Sequence, residues 1–295
     1  MFNNFSSNNE KTITDLKIYI DGTNNLNYIT DNINLNLSSY EDCDIILSSK
    51  FCWGLCNDNI IQNNLNYYKT ETKHVIIFLI SDTTNVFDIP YNVTLFRTSL
   101  YKTKQVNNEF LLPYVWEKIE NFFSILAKTE KPIVGFCGQN NNYRSNLIST
   151  LQNNNNLQTN FIIRNKFWGG IPNDPKLFND FTNNILNSHF IICNRGKGNF
   201  SMRFYQTLSA GRIPILTNTD MIFPFEDEID WHSIVIIGEN ENDVLNKVLD
   251  WWKNRNIGEI QFKCKEIYDN FFDKKIYFNK IFSNIGKNLV NSRLF

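Results

Sequence analysis

The stretch Phe190-Ile-Ile-Cys-Asn-Arg-Gly-Lys-Gly-Asn-Phe-Ser-Met-Arg-Phe-Tyr-Gln-Thr-Leu-Ser-Ala-Gly-Arg-Ile-Pro-Ile-Leu216 decides the reading of the chain. Phe190 to Cys193 is a short continuous apolar run, as expected of a strand buried on both faces of a parallel sheet. Arg195 then falls at the carboxyl edge of that strand. Gly196 and Gly198 predict a tight turn that lets the backbone approach a ligand. Ser201 is placed to cap a helix over Ser201 to Ala210, which Gly211 ends before a second strand from Ile213 to Leu216. Free N–H groups at the helix start, the positive end of its dipole and the fork of Arg195 suit a diphosphate. Inside the helix, Arg203 and Gln206 share one face and Phe204 and Leu208 another. An ordinary strand-helix-strand unit with a solvated arginine is the competing reading of the same residues.

The same alternation runs outward in both directions. Toward the C-terminus it continues as a strand at Ile234 to Ile237 and a helix at Glu241 to Trp252. One or two amphipathic helices follow over Gln261 to Leu289. Toward the N-terminus come a helix at Phe181 to Asn187, strands at Phe161 to Arg164 and Ile133 to Phe136, and a helix from Tyr143 to Leu151. Before a break near 128–132, strands are expected at Leu16 to Ile20, Asp44 to Leu47, His74 to Ile80 and Val93 to Arg97. Glu109 to Ala127 carries apolar residues at helical spacing after Pro113 and predicts a helix. Two α/β units are therefore expected: 1–128, 129–262 and a helical tail, 263–295.

Bulk properties narrow the function. The 29 basic and 30 acidic residues nearly cancel, so no general positive field points to nucleic acid. The Asn-rich start lacks the pattern of a cleaved leader, and the longest strongly apolar run, Val75 to Ile80, is far too short to span a bilayer. The 6 cysteines and 3 scattered histidines lack zinc spacing, so no metal site and a reduced, cytoplasmic setting are expected. Asp42-Cys43-Asp44 precedes a strand rather than following one and reads as strand entry. Gly22 is isolated, so no Gly-x-Gly-x-x-Gly marks a nicotinamide site.

Continued through Asp220-Met-Ile-Phe-Pro-Phe-Glu-Asp-Glu-Ile-Asp-Trp231, the central stretch resembles the signature of the exostosin family of glycosyltransferases. That pattern has an Arg-Gly turn, then Arg-Phe-x-Glu-x-Leu-x-x-Gly-x-Ile-Pro, then a Leu-Pro-Phe-like segment closing in Asp-Trp. Upstream, Pro132-Ile-Val-Gly-Phe-Cys-Gly138, Arg144 and Phe161-Ile-Ile-Arg-Asn-Lys-Phe-Trp168 resemble the start of the same donor domain. Phe96-Arg-Thr-Ser-Leu-Tyr101 with Asn108-Glu109 is more loosely similar to bacterial and viral relatives. The resemblance is strong over about 131–235 and thin before 70.

The resemblance implies a GT-B fold, two facing Rossmann-like domains, and inverting transfer from a UDP-sugar to a glycan or other hydroxyl acceptor. It implies no cofactor and no metal, the nucleotide sugar being a co-substrate. Donor contacts are then expected at Gly138, Arg144, Arg164, Arg195, Gly196, Gly198, Asn199, Phe200, Ser201, Arg203, Gln206 and Asp220, the last toward sugar hydroxyls. Arg195 and the backbone of 198–201 would stabilise the leaving diphosphate, with Arg203, Arg144 or Arg164 assisting. Asp82, just past the His74 to Ile80 strand, is the expected catalytic base, with Glu109 the runner-up; Asp82 also reads as a turn cap. Trp168 and Trp231 could stack on a ligand. Gln206 stands where the family usually has Glu, so charge-assisted hydrogen bonding is lost there. That departure leaves a non-catalytic nucleotide- or sugar-binding module as the alternative.

Overall fold

A computed structural model describes residues 16–22, 26–30, 33–50, 57–114, 118–119, 123–171 and 173–292. In the first half, β1 (Lys17–Asp21), α1 (Asn27–Thr30), β2 (Asn36–Leu37), β3 (Ile45–Ser48), α2 (Asp58–Tyr67), β4 (His74–Leu79), β5 (Val93–Arg97) and β6 (Glu109–Leu111) follow in order. The second half holds β7 (Ile133–Gln139), α3 (Ser145–Gln152), β8 (Gln158–Arg164), α4 (Pro175–Leu186), β9 (Phe190–Ile192), α5 (Met202–Ser209), β10 (Ile213–Thr217), β11 (Ile236–Gly238) and α6 (Glu241–Asn254). A tail of α7 (Ile257–Ile267), one π-helical turn (Tyr268–Phe272) and α8 (Lys274–Ser292) completes the chain.

The strands form two separate sheets, in the orders β2-β1-β3-β4-β5-β6 and β11-β10-β9-β7-β8. Every pairing is parallel. Central strands buried on both faces explain the unbroken apolar runs: β5 and β9 are buried throughout. In the second sheet the chain leaves β7 for β8 on one side and returns through β9 on the other. The crevice beyond the carboxyl ends of β7 and β9 is thus the topological switch point, where open α/β sheets bind ligands.

The helix expected over Glu109 to Ala127 is not formed where the segment is described. Residues 109–111 are strand β6, and 112–114, 118–119 and 123–127 are non-helical. Side chains of the second half replace the missing helical hydrogen bonds. Ser209 Oγ accepts from Ile119 N at 2.9 Å, and Gln261 both accepts from Leu126 N at 2.8 Å and donates to Leu126 O at 3.2 Å. Arg212 Nη1 donates to Ser124 O at 3.1 Å. The connecting segment is a strap laid across α5 and α7. At the far end of the chain, Phe278 and Phe282 of α8 pack on Phe78 of β4, so the tail touches the first half.

Candidate functional site

Two neighbouring strand ends, those of β7 and β9, set the site. Arg203, the second residue of α5, bridges them. Its Nη2 donates to Cys137 O at 2.7 Å and its Nη1 to Ile192 O at 3.2 Å, while its guanidinium lies 4.6 Å from the Phe136 ring centre. Gly138 makes room for it. That residue has φ +155°, and a Cβ there would meet Arg203 Nη2 at 2.6 Å. Arg144 closes the same opening, with Nη1 on Gln139 O at 2.8 Å and Nε on Asn194 O at 3.2 Å. Burial, with the charge of Arg203 adding to it, brings the Arg144 guanidinium down to about 9. Burial also lowers Arg203.

Arg195 sits between the two halves of the molecule. Nη1 donates to Tyr101 Oη at 2.7 Å and Asn199 Oδ1 at 2.8 Å, and Nη2 to Lys197 O at 2.7 Å. The rings of Tyr143 and Tyr101 lie 4.4 and 5.5 Å from its guanidinium carbon. Among the described residues no carboxylate pairs with Arg144, Arg195 or Arg203; Arg164 alone of the four expected donor arginines reaches one, Asp180 at 3.8 Å. Arg195 and Arg203 are 7% and 9% exposed, and the Nε–H of each is buried without an acceptor. An orphaned buried donor costs about 1–3 kcal/mol, so these N–H groups favour an incoming acceptor.

The first half reaches this turn through residues 99–103. Asn199 N donates to Ser99 Oγ at 2.7 Å, and Asn199 Nδ2 to Leu100 O at 3.1 Å and Thr219 O at 3.0 Å. Asp220, at φ +58°, accepts on its main-chain oxygen from Lys102 N at 2.8 Å. Its carboxylate accepts from Thr103 N at 3.1 Å and Thr103 Oγ1 at 2.5 Å. Asp82 follows β4 and is exposed; a Cβ on Gly198 would lie 2.9 Å from its Oδ1. Tyr114, whose phenol is raised by burial, hydrogen-bonds Thr98 and Asp82.

Several expectations change. Glu109 does not stand in the cleft: it is 3% exposed, and its Oε1 lies 3.1 Å from Arg97 Nη1, close enough to pair but off the hydrogen-bonding direction. Burial raises its carboxyl against the pull of Arg97. Such a group cannot exchange a proton with an acceptor. Asp220 is half-buried, and its Oδ2 is held by Thr103 of the first half. Ser201 starts α5 in extended backbone but makes no side-chain cap, leaving the first-turn N–H groups without it. Neither Gly196 nor Gly198 has positive φ; the need for glycine at 198 is the approach of Asp82 and Ser99. Phe200 packs in the aromatic core, its ring edge-on to Phe204 at 5.0 Å and stacked on Tyr205. Trp231 is core as well, donating to Pro224 O at 2.9 Å, while the side chain of Trp168 lies outside the described residues. Gln206 is 3% exposed. The reading of the residues alone missed Tyr101, Tyr143 and Asn194. The last ties the strand ends together, donating to Tyr143 O at 2.8 Å and accepting from Thr217 N at 3.1 Å.

Comparison with known proteins fits this architecture. The family model described as the Exostosin GT47 domain matches residues 66–250. A Caenorhabditis elegans exostosin-1 homologue is 28% identical over 88 residues, covering 30% of this chain and 23% of that protein. Exostosin-1 of Drosophila melanogaster is 39% identical over 57 residues, 19% of this chain and 8% of that one. Both matches therefore span less than a quarter of the relatives' length. Among solved structures, Anabaena HepE in complex with UDP superposes with TM-score 0.54 at 7% identity, over 94% of this chain and 100% of that one. Its complex with UDP and glucose gives 0.50 at 9% identity, over the same shares. The likeness is one of fold, the two-domain GT-B arrangement of parallel sheets. No helix among the described residues is long and apolar enough to cross a membrane.

Proposed function

The chain belongs to the exostosin GT47 domain family of glycosyltransferases, and from that premise we propose that it moves a monosaccharide from a UDP-sugar to a hydroxyl of a glycan or similar acceptor. In this reading 129–262 is the donor domain, 1–128 the acceptor side, and 263–295 a helical tail that packs back on it. Transfer proceeds with inversion and without a metal ion.

One observation carries the reading. Arg144, Arg195 and Arg203 gather at the switch point without a carboxylate among the described residues, two of them with a buried, unanswered Nε–H. Uncompensated guanidinium groups in a low-dielectric crevice are matched by an anion that arrives from outside, and a diphosphate supplies two charges and several acceptor oxygens. The acceptor hydroxyl attacks the anomeric carbon from the face opposite the departing UDP. A base takes the hydroxyl proton, and the arginines hold the negative charge that develops on the leaving phosphate. They thus supply the charge that a divalent cation supplies elsewhere. Asp82 is the base in this reading. It is exposed, it lies three residues past the carboxyl end of β4, and it faces Gly198 of the donor turn.

Titration calorimetry with UDP, beside turnover assays over a panel of UDP-sugars and glycan acceptors, tests the proposal. Asp82→Asn is expected to lower turnover by roughly 100-fold, the usual scale for a lost general base, while UDP affinity stays near that of the wild type. Unchanged turnover would remove Asp82 from the mechanism. Gln206, buried where the family has an acid, favours a second reading as a donor-binding module without catalysis. UDP binding with no turnover on any donor would decide for it.

A further inference from the structure

Of the contacts around Arg195, the one from Tyr101 crosses from the first half into the proposed donor site. Its two Nη1 hydrogens go to different places: one to Asn199 Oδ1, four residues along its own turn, and one to Tyr101 Oη across the cleft. Tyr101 also lays its ring 5.5 Å from the guanidinium carbon, so both its oxygen and its π-face act on the same group. With Nη1 fully engaged and Nη2 on Lys197 O, the guanidinium plane has little freedom to rotate. That leaves the Nε–H, buried without an acceptor, and the second Nη2 hydrogen.

We infer that Tyr101 is a positioning residue for donor binding: it orients Arg195 from the opposite lobe, so the diphosphate grip is complete only while the two lobes are together. This rests on the donor-site reading above and extends it to a residue outside the donor domain. The hydrogen bonds around it keep the phenol in place. Lys102 N and Thr103 N are fixed on Asp220, and Ser99 Oγ and Leu100 O on Asn199, so the residues on both sides of Tyr101 are anchored to the second half. The binding consequence is direct. If the lobes part, Arg195 loses an acceptor and an aromatic neighbour together, and its fork is no longer held for a phosphoryl group. Pre-orientation of such a fork raises affinity by avoiding the entropy cost of ordering it on binding.

The geometry also gives an alkaline signature. Arg195 and Lys104 both face the phenol, the second with Nζ 5.0 Å from its ring centre, and the hydrogen bond from Arg195, with the nearby charges adding, lowers the Tyr101 hydroxyl from its usual value. Once ionised, the phenolate would neutralise Arg195 and compete with the diphosphate. Arg144, brought down to about 9 in the same crevice, loses its charge over that range in either chain, so donor affinity should fall at high pH more steeply in the wild type than in Tyr101→Phe.

The test is calorimetric UDP titration of the full chain, wild type and Tyr101→Phe, at neutral and alkaline pH, with melting temperatures and donor kinetics alongside. Tyr101→Phe keeps the ring and removes the oxygen. The expected result is a UDP Kd weakened roughly ten-fold at neutral pH, on the scale of a hydrogen bond to a charged group, with donor KM raised in step and the alkaline fall shallower than in the wild type. Wild-type affinity at neutral pH, with an alkaline fall as steep as the wild type's, in Tyr101→Phe would overturn the inference alone. Failure of the wild type to bind UDP would overturn the donor-site reading and this inference with it. A drop in melting temperature with unchanged Kd would assign the phenol to packing and also overturn it.

Discussion

Two buried arginine sites in this molecule have opposite electrostatic designs. Arg97, at the end of β5, is 2% exposed and has Glu109 3.1 Å away, with main-chain oxygens of Ser99, Asn85 and Thr83 accepting from the rest of its fork. Arg195 and Arg203, at the corresponding edge of the second sheet, are nearly as buried but among the described residues have only neutral acceptors, with the Nε–H of each unanswered. The first site is closed electrostatically: it pins the loops that carry Asp82 and Tyr101 and leaves nothing for a ligand to add. The second is incomplete by one anion. Burial alone therefore does not mark a functional arginine; an unmatched charge does.

Removing the partner of the closed site should have the largest effect. We predict that Glu109→Ala destabilises the fold by about 3 kcal/mol, because it leaves the Arg97 charge buried and uncompensated. Chemical denaturation measures this, and a double replacement of Arg97 and Glu109 by apolar residues should cost less than the single one. A single variant as stable as the wild type would end the contrast between the sites. Arg195→Ala should fail in another way. Its loss orphans no buried acid, so unfolding should shift little, while UDP binds roughly 100-fold more weakly, about 2.7 kcal/mol. If Arg195→Ala instead unfolded like Glu109→Ala while its folded fraction bound UDP normally, both sites would be structural.

How much of this was legible follows from which contacts are local. The strands around 190 and 213, the helix between them and the arginine turn are visible in the sequence because apolar runs, a capping position and glycines lie within thirty residues of one another. Those signals placed Arg195 and Arg203 at one strand end, whereas Gly138 and Arg144 entered only through the resemblance to the exostosin donor domain. What crosses from lobe to lobe was not visible. Tyr101 meets Arg195 and Leu100 meets Asn199 over separations of more than ninety residues. The expected helix at 109–127 went wrong for the same reason. Its apolar spacing is helical, but its N–H and C=O groups find Ser209, Arg212 and Gln261 from distant elements. Helix α2 was hidden differently, since Ile61 and Leu65 are its only buried residues in an Asn-rich segment.

The smallest predicted effect comes from a buried group that carries no charge, and it sharpens the contrast by supplying a third kind of site. His189 is fully buried under the strap. Its Nδ1 accepts from Ile133 N at 3.2 Å, its Nε2 is 2.9 Å from Ala127 O, and its ring lies edge-on to Trp252 at 4.7 Å. The accepting Nδ1 fixes the neutral tautomer, with the proton on Nε2 donated to Ala127. A second proton would have to enter where Ile133 N–H already points. Burial chiefly, with Arg212 adding, lowers its pKa, although the bond to Ala127 works the other way. Above the ordinary histidine value of about 6.5 both folded and unfolded chains hold the ring neutral, and its contribution is complete. As pH falls through that value the unfolded chain takes up a proton first. Stability is then lost until the folded ring also titrates at its lower pKa. Thermal unfolding between pH 7 and pH 5 should show this decline, and His189→Gln should flatten part of it. His74, whose pKa burial also lowers, adds to the decline, and Glu109, whose carboxyl burial raises, opposes it. An identical slope in wild type and His189→Gln would mean that the strap tolerates a charged ring, and that the tolerance for unmatched charge is not confined to the arginine crevice.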